Sequence, residues 1–344
     1  MSPRERFHHA LDLEASDRIP LFYQHLGAAK WLQRSTGTRI FDGFHDPSAF
    51  TKLALAAYHE YGFDNVMAGW GDIIIEAQAH GTEWKFPERD FYPRVSRYVP
   101  MEEIDRIRPV DPLEDRFWSV PLKAARMMME EVGREVAVVG CINSPTVVAS
   151  ETVGMENLLM GYFTEPDGIH KLLATLTESS RIYGERLADI GVEDIFIENA
   201  MAGAEMVSHD MYDQFDRKYI KDMMGAYDKS GLRVILHNCS AQPFWESQLE
   251  LRPSALHLNL PAVDVSAVFA AVRGKACMMA GIDHMDLMFQ RSPDEVEANV
   301  REVIERWGDH PGFIIAPGCE MPYKTPRENI ARLRESVERY SRRA

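Results

Sequence analysis

Short apolar runs rich in β-branched residues alternate along the chain with longer amphipathic stretches. This alternation is typical of strands and helices that build a parallel sheet. The apolar runs predict eight strands, at residues 19–23, 65–68, 136–142, 194–198, 233–237, 255–259, 276–281 and 313–316. The stretches between them predict helices, such as 166–190, 210–229 and 293–307. Eight such units without a linker favour an α/β fold, a closed (β/α)8 TIM barrel in one domain over residues 1–344, with an open doubly wound sheet as the alternative.

The stretch between the second and third predicted strands does not follow the alternation. Aromatic and β-branched residues at 84–86, 91–93 and 94–99 predict a small hairpin inserted after the second strand, at about residues 72–99. Because (β/α)8 enzymes carry their chemistry at the carboxyl ends of the strands, this insertion would border the active-site mouth. It could act as a lid or a docking edge, or it could be plain surface decoration.

Charge and composition narrow the classes of partner. The net charge is -15, from 53 acidic and 38 basic residues, which argues against binding to nucleic acid or to an anionic membrane surface. The first residues lack the apolar core of a secretory signal, and no apolar run approaches the roughly 20 residues that cross a bilayer. We therefore expect a cytoplasmic protein, in which the four cysteines form no disulfide framework.

Three potential metal ligands follow predicted strands. His237 and Cys239 lie at the end of the fifth strand, and Cys319 follows the eighth in a Pro-Gly-Cys-x-x-Pro turn. A His-x-Cys pair alone would as readily be a packed histidine beside a buried cysteine, but the third thiol favours a metal site. Three protein ligands with an open position are typical of catalytic zinc, and two thiolates with an imidazole suit that ion. Cys141 and Cys277 lie inside apolar runs and are expected in the core.

Other polar side chains are expected at the same mouth. Glu198 ends the fourth strand and could be a displaceable fourth zinc ligand, a proton acceptor, or a carboxylate bonded to backbone. Asp283 ends the seventh and could orient a ligand histidine. Four further side chains could bind substrate, or could be ordinary packing or capping residues: Tyr23, His25, Trp70 and Asn259.

The chain resembles the uroporphyrinogen decarboxylase superfamily, and within it the corrinoid-dependent, zinc-binding methyltransferases. The resemblance runs nearly end to end. It rests on Arg-Glu-Arg-Phe at residues 4–7, Asp-Arg-Ile-Pro at 17–20, His-Asn-Cys at 237–239, and the Pro-Gly-Cys-Glu-Met-Pro segment at 317–322 that runs into Thr-Pro-Arg-Glu-Asn-Ile at 325–330. The resemblance implies a (β/α)8 barrel with Zn²⁺ on His237, Cys239 and Cys319.

The resemblance also implies transfer of a methyl group to or from a corrinoid, as methylcobalamin or cob(I)alamin. Zinc would activate a thiol acceptor or polarise a methylated donor such as a methyl ether. The chain has no Asp-x-His-x-x-Gly cobalamin-binding motif, so we expect the corrinoid on a separate partner protein. The identity of the small methyl donor or acceptor and the direction of transfer stay open.

Two alternatives to methyl transfer remain at the level of sequence. The first is decarboxylation of a tetrapyrrole, but the arginine-rich segment that the decarboxylases carry after the first strand is absent from residues 22–28, Phe-Tyr-Gln-His-Leu-Gly-Ala. The second is a non-catalytic barrel that binds a corrinoid protein or stores metal.

Overall fold

Seven parallel strands form one sheet at the centre of the protein. The computed structural model describes residues 1–25, 30–69 and 74–342, except for the side chains of Lys30 and Trp31. The sheet order is β1-β4-β5-β6-β7-β8-β9, and the remaining two strands pair as a separate antiparallel hairpin. The strands of the sheet are β1 (Asn65–Ala68), β4 (Ala137–Asn143), β5 (Asp194–Glu198), β6 (Arg233–Asn238), β7 (Ala255–Leu258), β8 (Cys277–Ile282) and β9 (Phe313–Pro317), and the hairpin strands are β2 (Glu83–Lys85) and β3 (Arg94–Arg97).

The first predicted strand joins the two edges of this sheet. Leu21 forms a parallel bridge to Ile315 of β9, and the backbone N–H of Ile315 donates to the carbonyl of Pro20 at 3.0 Å. On the other side, the N–H of Asp64, next to β1, donates to the carbonyl of Leu21 at 2.9 Å. The ring of strands is therefore closed, and the predicted barrel is confirmed over the open sheet. The predicted strand 19–23 is reduced to this bridge because Pro20 has no N–H to donate.

Helices follow most of the strands. They are α1 (Pro3–Leu11), α2 (Lys30–Thr36), α3 (Ile40–His45), α4 (Pro47–Tyr61), α5 (Ile74–Ala79), α6 (Ser119–Glu131), α7 (Pro145–Val153), α8 (Met155–Thr164), α9 (Pro166–Ile190), α10 (His209–Tyr212), α11 (Lys218–Lys229), α12 (Trp245–Leu249), α13 (Val265–Val272), α14 (Leu287–Gln290), α15 (Pro293–Trp307) and α16 (Arg327–Tyr340). Short 3-10 segments lie at Met101–Arg106 and Leu260–Ala262. Within the described ranges, no helix is long and apolar enough to pass through a membrane.

Two of the predicted helices are confirmed at both ends, and one is divided. The helices α9 and α15 begin and end at the predicted residues, where Pro and Ser or Glu start them and a glycine follows. The predicted helix 210–229 is instead α10, a π segment at Asp213–Arg217, and α11. A π segment depends on i→i+5 hydrogen bonding, which an amphipathic pattern does not reveal.

The predicted hairpin lies after the second barrel strand, as expected, but it is shorter than 72–99. The helix α5 occupies the first part of that range. Trp84 of β2 packs edge-on against Phe44 and Phe117, at ring separations of 5.5 and 4.8 Å. The connection between β2 and β3 reaches the loop after β9, where the Tyr92 hydroxyl donates to Glu320 at 2.8 Å. The hairpin therefore borders the mouth next to Cys319; its role as a lid stays a prediction.

A column of aromatic rings fills the barrel from its amino-terminal end to the mouth. Phe7 of α1 stacks on Phe22 at 6.2 Å, Phe22 on Phe196 at 5.6 Å, and Phe196 on His237 at 5.2 Å. These rings belong to a buried cluster that takes alternate residues from each strand, as the two-residue period of a strand requires. The column supports His237 from below with rigid apolar side chains.

The motifs at residues 4–7 and 17–20 close the opposite end of the barrel. Arg6 donates to Asp64 at 2.6 Å and to Asp17 at 2.6 Å, and Arg18 donates to Asp64 at 2.8 Å. The fully buried Asp64 also accepts the backbone N–H of Leu21 at 2.7 Å. These bonds fix the bridging segment between β9 and β1, so the motifs at residues 4–7 and 17–20 stabilise the fold at the end of the barrel away from the mouth.

Candidate metal centre

The three predicted ligands converge at the carboxyl end of the barrel. His237 is the fifth residue of β6 and fully buried, Cys239 follows that strand directly, and Cys319 lies two residues after β9. One imidazole nitrogen and both sulfur atoms lie within 4.8 Å of one another. Residues 80 positions apart in sequence are therefore assembled into one group, and both cysteines are free thiols.

A chain of hydrogen bonds fixes the proton on His237. Nε2 of His257 lies 2.7 Å from the carbonyl oxygen of Pro317, which can only accept, so this nitrogen carries the hydrogen. Nδ1 of neutral His257 then accepts from Nδ1–H of His237, at 2.9 Å. This leaves Nε2 of His237 with a lone pair, buried and without a partner among the described residues. A buried lone pair without a partner, on a histidine grouped with two thiols, is the arrangement that a metal ligand requires.

Burial holds both histidines in the neutral form. Burial is the main reason that the pKa of His237 lies well below its ordinary value, and the neighbouring His257, His25 and His284 lower it further. Burial likewise lowers the pKa of His257 to about 3, although its bond to Pro317 acts in the opposite direction. A neutral imidazole is the form that binds a metal, so His237 is ready to ligate at neutral pH.

The two thiols are hydrogen-bonded to each other, and a bound cation would stabilise the thiolate form of each. A hydrogen bond with Cys239 and burial together raise the pKa of Cys319 well above its ordinary value, and the charge of Glu198 adds to this. Without a cation the pair stays protonated at Cys319. A bound divalent ion reverses this preference, because a coordinating thiol loses its proton.

Tight packing around Gly318 positions Cys319. The N–H of Gly318 donates to the carbonyl of Ile282 in β8 at 2.8 Å. A side chain on Gly318 would place its Cβ 2.9 Å from Cα of Asn259, which is too close for any residue but glycine. The glycine thus lets the Cys319 turn lie directly on the loop after β7.

A second polar cluster borders the metal ligands. Glu198 ends β5 beside His237 in the parallel register, and its Oε1 accepts from Nε2 of His25 and, at 3.3 Å, from Nε2 of Gln24. Burial opposes protonation of His25, but the charge and hydrogen bond of Glu198 and the charge of Glu320 raise its pKa. Glu198 forms a compact group with His25 and Cys141 rather than with the three metal ligands. This geometry suits a proton acceptor better than a resident fourth ligand.

A buried network fixes the loop that follows Glu198. The N–H of Asn199 donates to the carbonyl of His237 at 3.0 Å, and its side chain donates to Asp216 at 2.7 Å. Asp216, in the π segment, also accepts from the hydroxyl of Thr146. Burial raises the pKa of Asp216 to about 6, against the effect of these two bonds. The network ties the ends of β5 and β6 together and so sets the direction of Glu198.

The remaining predicted site residues lie in different surroundings. Tyr23 is buried between the sheet and the helices, where its ring stacks on Phe63 at 4.9 Å. Asn259 lies against Gly318 with a buried Oδ1 that has no partner in the described part of the chain. Asp283 accepts the N–H groups of Met285 and Asp286 at 2.8 and 2.9 Å, so it shapes its own turn. Trp70 lies outside the described residues.

The sequence analysis missed two residues of the site. His257, and not Asp283, is the hydrogen-bond partner that orients His237. A histidine inside the apolar run of β7 is the signal that could have identified it, because it pairs with His237 in the parallel register. Gln24 was not among the predicted site residues, yet it is 1% exposed and donates a hydrogen bond to Glu198.

The fold and the site together define a class: a parallel (β/α)8 barrel with a candidate three-ligand metal centre, of one buried histidine and two partly buried cysteines, at the carboxyl ends of its strands. The uroporphyrinogen decarboxylase (URO-D) family model matches residues 2–340, and the chain belongs to this family. The resemblance seen in the sequence motifs is thereby confirmed.

Similar curated proteins include methyltransferases and decarboxylases. "Methylcobamide:CoM methyltransferase MtbA" of Methanosarcina mazei is 23% identical over 98% of this chain and 98% of its own length. "Methylcobamide:CoM methyltransferase MtaA" of Methanosarcina barkeri is 20% identical over 96% of each chain. "Uroporphyrinogen decarboxylase" of Anaeromyxobacter dehalogenans is 22% identical over 96% of this chain and 97% of its own. The solved structure of a methyltransferase from Methanosarcina mazei superposes with a TM-score of 0.90 at 21% identity, covering 99% of both chains, which supports the fold.

Proposed function

We propose that this protein is a zinc-dependent methyltransferase that moves a methyl group between a small thiol or methylated substrate and the cobalt of a corrinoid held by a separate protein. The single observation that carries the proposal is the grouping of His237 with the thiols of Cys239 and Cys319 within 4.8 Å, in which Nε2 of His237 is buried and has no partner among the described residues. The similarity to methyltransferases whose names specify a methylcobamide supports the corrinoid partner. The tetrapyrrole decarboxylase alternative does not account for this donor set.

The donor set fits zinc. Two thiolates and a neutral imidazole are borderline-soft ligands, and they leave one position of a tetrahedron open for a substrate atom. Bound there, zinc would lower the pKa of a substrate thiol, so that a nucleophilic thiolate is available at neutral pH. Two thiolates would balance the charge of the ion.

The chain's own residues would orient the ligands and take the proton. His257 fixes the lone pair of His237 toward the metal position. Glu198, hydrogen-bonded to His25, is the carboxylate whose charge reaches Cys319, and it can receive the proton that the substrate thiol loses. The corrinoid carrier supplies the methyl group and keeps the electron pair of the cobalt–carbon bond. The carbon–sulfur bond would form from the lone pair of the thiolate as the cobalt–carbon bond breaks.

Metal content and methyl transfer test the proposal together. We expect close to one zinc per chain in purified protein, and loss of most of it in Cys239→Ser and Cys319→Ser. Cys277→Ser is the matched control, since this buried cysteine lies inside the barrel, away from the mouth, and should keep its zinc. Circular dichroism and melting curves must show that each variant is folded.

The activity assay follows methylcobalamin in its visible spectrum under anaerobic conditions. Zinc-loaded wild type should demethylate it in the presence of a thiol, while the two ligand variants should not. Zinc-free protein with unchanged activity would contradict the proposal. Removal of carboxyl groups from uroporphyrinogen by the same protein would instead support the decarboxylase alternative.

A further inference from the structure

Amide oxygens without donors surround the metal ligands. The side-chain nitrogen of Gln24 donates to Glu198 at 3.3 Å, and that of Asn143 donates to Glu76 at 2.7 Å. These bonds fix which end of each amide is the oxygen. Both side chains are 1% exposed, and both oxygens lack a partner in the described part of the protein, as does Oδ1 of Asn259. Three buried acceptors at the carboxyl ends of strands therefore await hydrogen-bond donors.

These acceptors lie around the place where the substrate would bind. Asn143 pairs with Glu198 in the register of β4 and β5, and Glu198 pairs with His237 in that of β5 and β6. Gln24 is bonded to the same Glu198, and Asn259 contacts the glycine next to Cys319. A molecule whose sulfur or oxygen sits at the metal position would have these oxygens and the Glu198 carboxylate beside its remaining atoms.

Basic side chains are scarce directly above the barrel strands. In the described residues between each of β4–β9 and the next helix, Lys324 is the single lysine or arginine, and it is exposed. The hairpin at the edge of the mouth carries four exposed basic residues, of which Arg89 and Arg97 are paired with Asp42 and Glu83. The segments 26–29 and 70–73 add none, according to their sequence, and Lys30 is the next basic residue along the chain. The backbone N–H groups of Ala241 and Gln242, which could have bound an anion, already donate to the carboxylate of Glu205.

Resting on the proposed function, we infer that the methyl-carrying or methyl-accepting substrate bears a hydrogen-bond donor on its arm, best an ammonium group, and is not an anion. An ammonium donates three hydrogen bonds, which matches the unpartnered amide oxygens and the nearby carboxylate. A sulfonate or carboxylate arm accepts but cannot donate, so it would leave these oxygens unsatisfied and would place like charges together. The preferred methyl acceptor would therefore not be coenzyme M, whose arm ends in a sulfonate.

A matched series of two-carbon thiols tests the inference. Cysteamine, mercaptoethanol and mercaptoethanesulfonate differ only in the group at the end of the arm, which is an ammonium, a hydroxyl or a sulfonate. Their S-methyl thioethers have no thiol proton, so their affinities compare the arms without differences in thiol ionisation. Calorimetric titration of zinc-loaded protein gives the Kd of each thioether, and the methylcobalamin assay gives kcat/KM for each thiol.

We expect the amine to bind roughly tenfold or more tightly than the sulfonate, with the alcohol between them, because an arm that donates hydrogen bonds satisfies the buried amide oxygens that a sulfonate leaves without a partner. In Gln24→Met, which keeps the length of the side chain but removes the acceptor, the ratio should fall toward one. Equal affinities, tightest binding of the sulfonate, or no binding of any of the three would overturn the inference. A sulfonate preference that disappears in Lys30→Ala or Lys324→Ala would identify the cation responsible.

The two proposals fail in different ways. If the amine binds best but no thiol demethylates methylcobalamin, the inferred preference for a hydrogen-bond donor on the substrate arm stands and the proposed function fails. If mercaptoethanesulfonate is the best methyl acceptor in turnover and its thioether binds most tightly, the proposed function stands and the inferred preference for a hydrogen-bond donor on the substrate arm fails.

Discussion

His257 should control zinc affinity although it is not itself a ligand. In His257→Leu, the Nδ1–H of His237 loses its acceptor inside the protein, and nothing then fixes the lone pair on Nε2 toward the thiols. An unsatisfied buried donor costs about 1–3 kcal/mol. Loss of a residue that orients a ligand typically lowers metal affinity about 10- to 100-fold, or about 1.4–2.7 kcal/mol. The two ranges agree, so we expect a loss of this size.

Competition with a chromophoric chelator measures the affinity for zinc in wild type and variant. Asp283→Asn is the matched control, because Asp283 was the orienting residue expected from the sequence, but among the described residues its carboxylate accepts hydrogen bonds only from its own turn. His257→Asn can return an acceptor near the Nδ1 position and should recover part of the affinity. A His257→Leu protein that binds zinc within twofold of wild type, or an Asp283→Asn protein that loses as much, would refute the reasoning.

Three further results are expected. In metal-free protein burial lowers the pKa of both His237 and His257 below the ordinary 6.5, and that of His257 to about 3, so the unfolded chain takes up protons first as the pH falls. The free energy of unfolding from urea titrations should therefore decrease below pH 6.5, with His257 alone contributing about 1.4 kcal/mol per pH unit down to its folded pKa, and a flat profile would contradict this. Gly318→Ala should displace the Cys319 turn and weaken zinc binding about tenfold or more by the chelator assay, whereas Gly225→Ala, whose added Cβ meets nothing within 4 Å, should not. Phe7→Ala should lower the free energy of unfolding by about 3–5 kcal/mol, because it removes the lowest ring of the column, and a loss below about 1 kcal/mol would show that the column is not rigid.

The sequence predicts the barrel well because a parallel strand buried on both faces is a short apolar run. Seven of the eight runs are strands of one sheet, and the helices α9 and α15 have the predicted ends. The first run differs because hydrogen bonds across a sheet depend on which N–H groups exist and where they point. Pro20 lacks one, and the N–H of Tyr23 donates to the side chain of Asn65 at 2.8 Å, so the run keeps its place in the barrel with a single bridge.

The sequence identifies His237, Cys239 and Cys319 as candidate metal ligands because their chemistry is rare and their positions follow strands. It could not predict what orients them, since a hydrogen bond between His237 and His257 depends on the register of β6 and β7. The same limit applies to Glu198: its place in sequence was compatible with a ligand or with a proton acceptor. Only the approach of His25, from a segment 173 residues away, favours the second possibility.

The charge of the assembled site explains why hydrogen bonding, and not charge, should select the substrate. Two thiolates would neutralise a zinc ion, His237 enters as a neutral ring, and the carboxylate of Glu198 is already paired with His25. A site balanced in this way attracts neither anions nor cations strongly over a distance. What remains unsatisfied is local: the amide oxygens of Gln24 and Asn143, each held in place by a bond from its own nitrogen. Discrimination between substrates would then come from the donors they bring to these oxygens, because a buried acceptor left without a donor costs more than a matched one contributes.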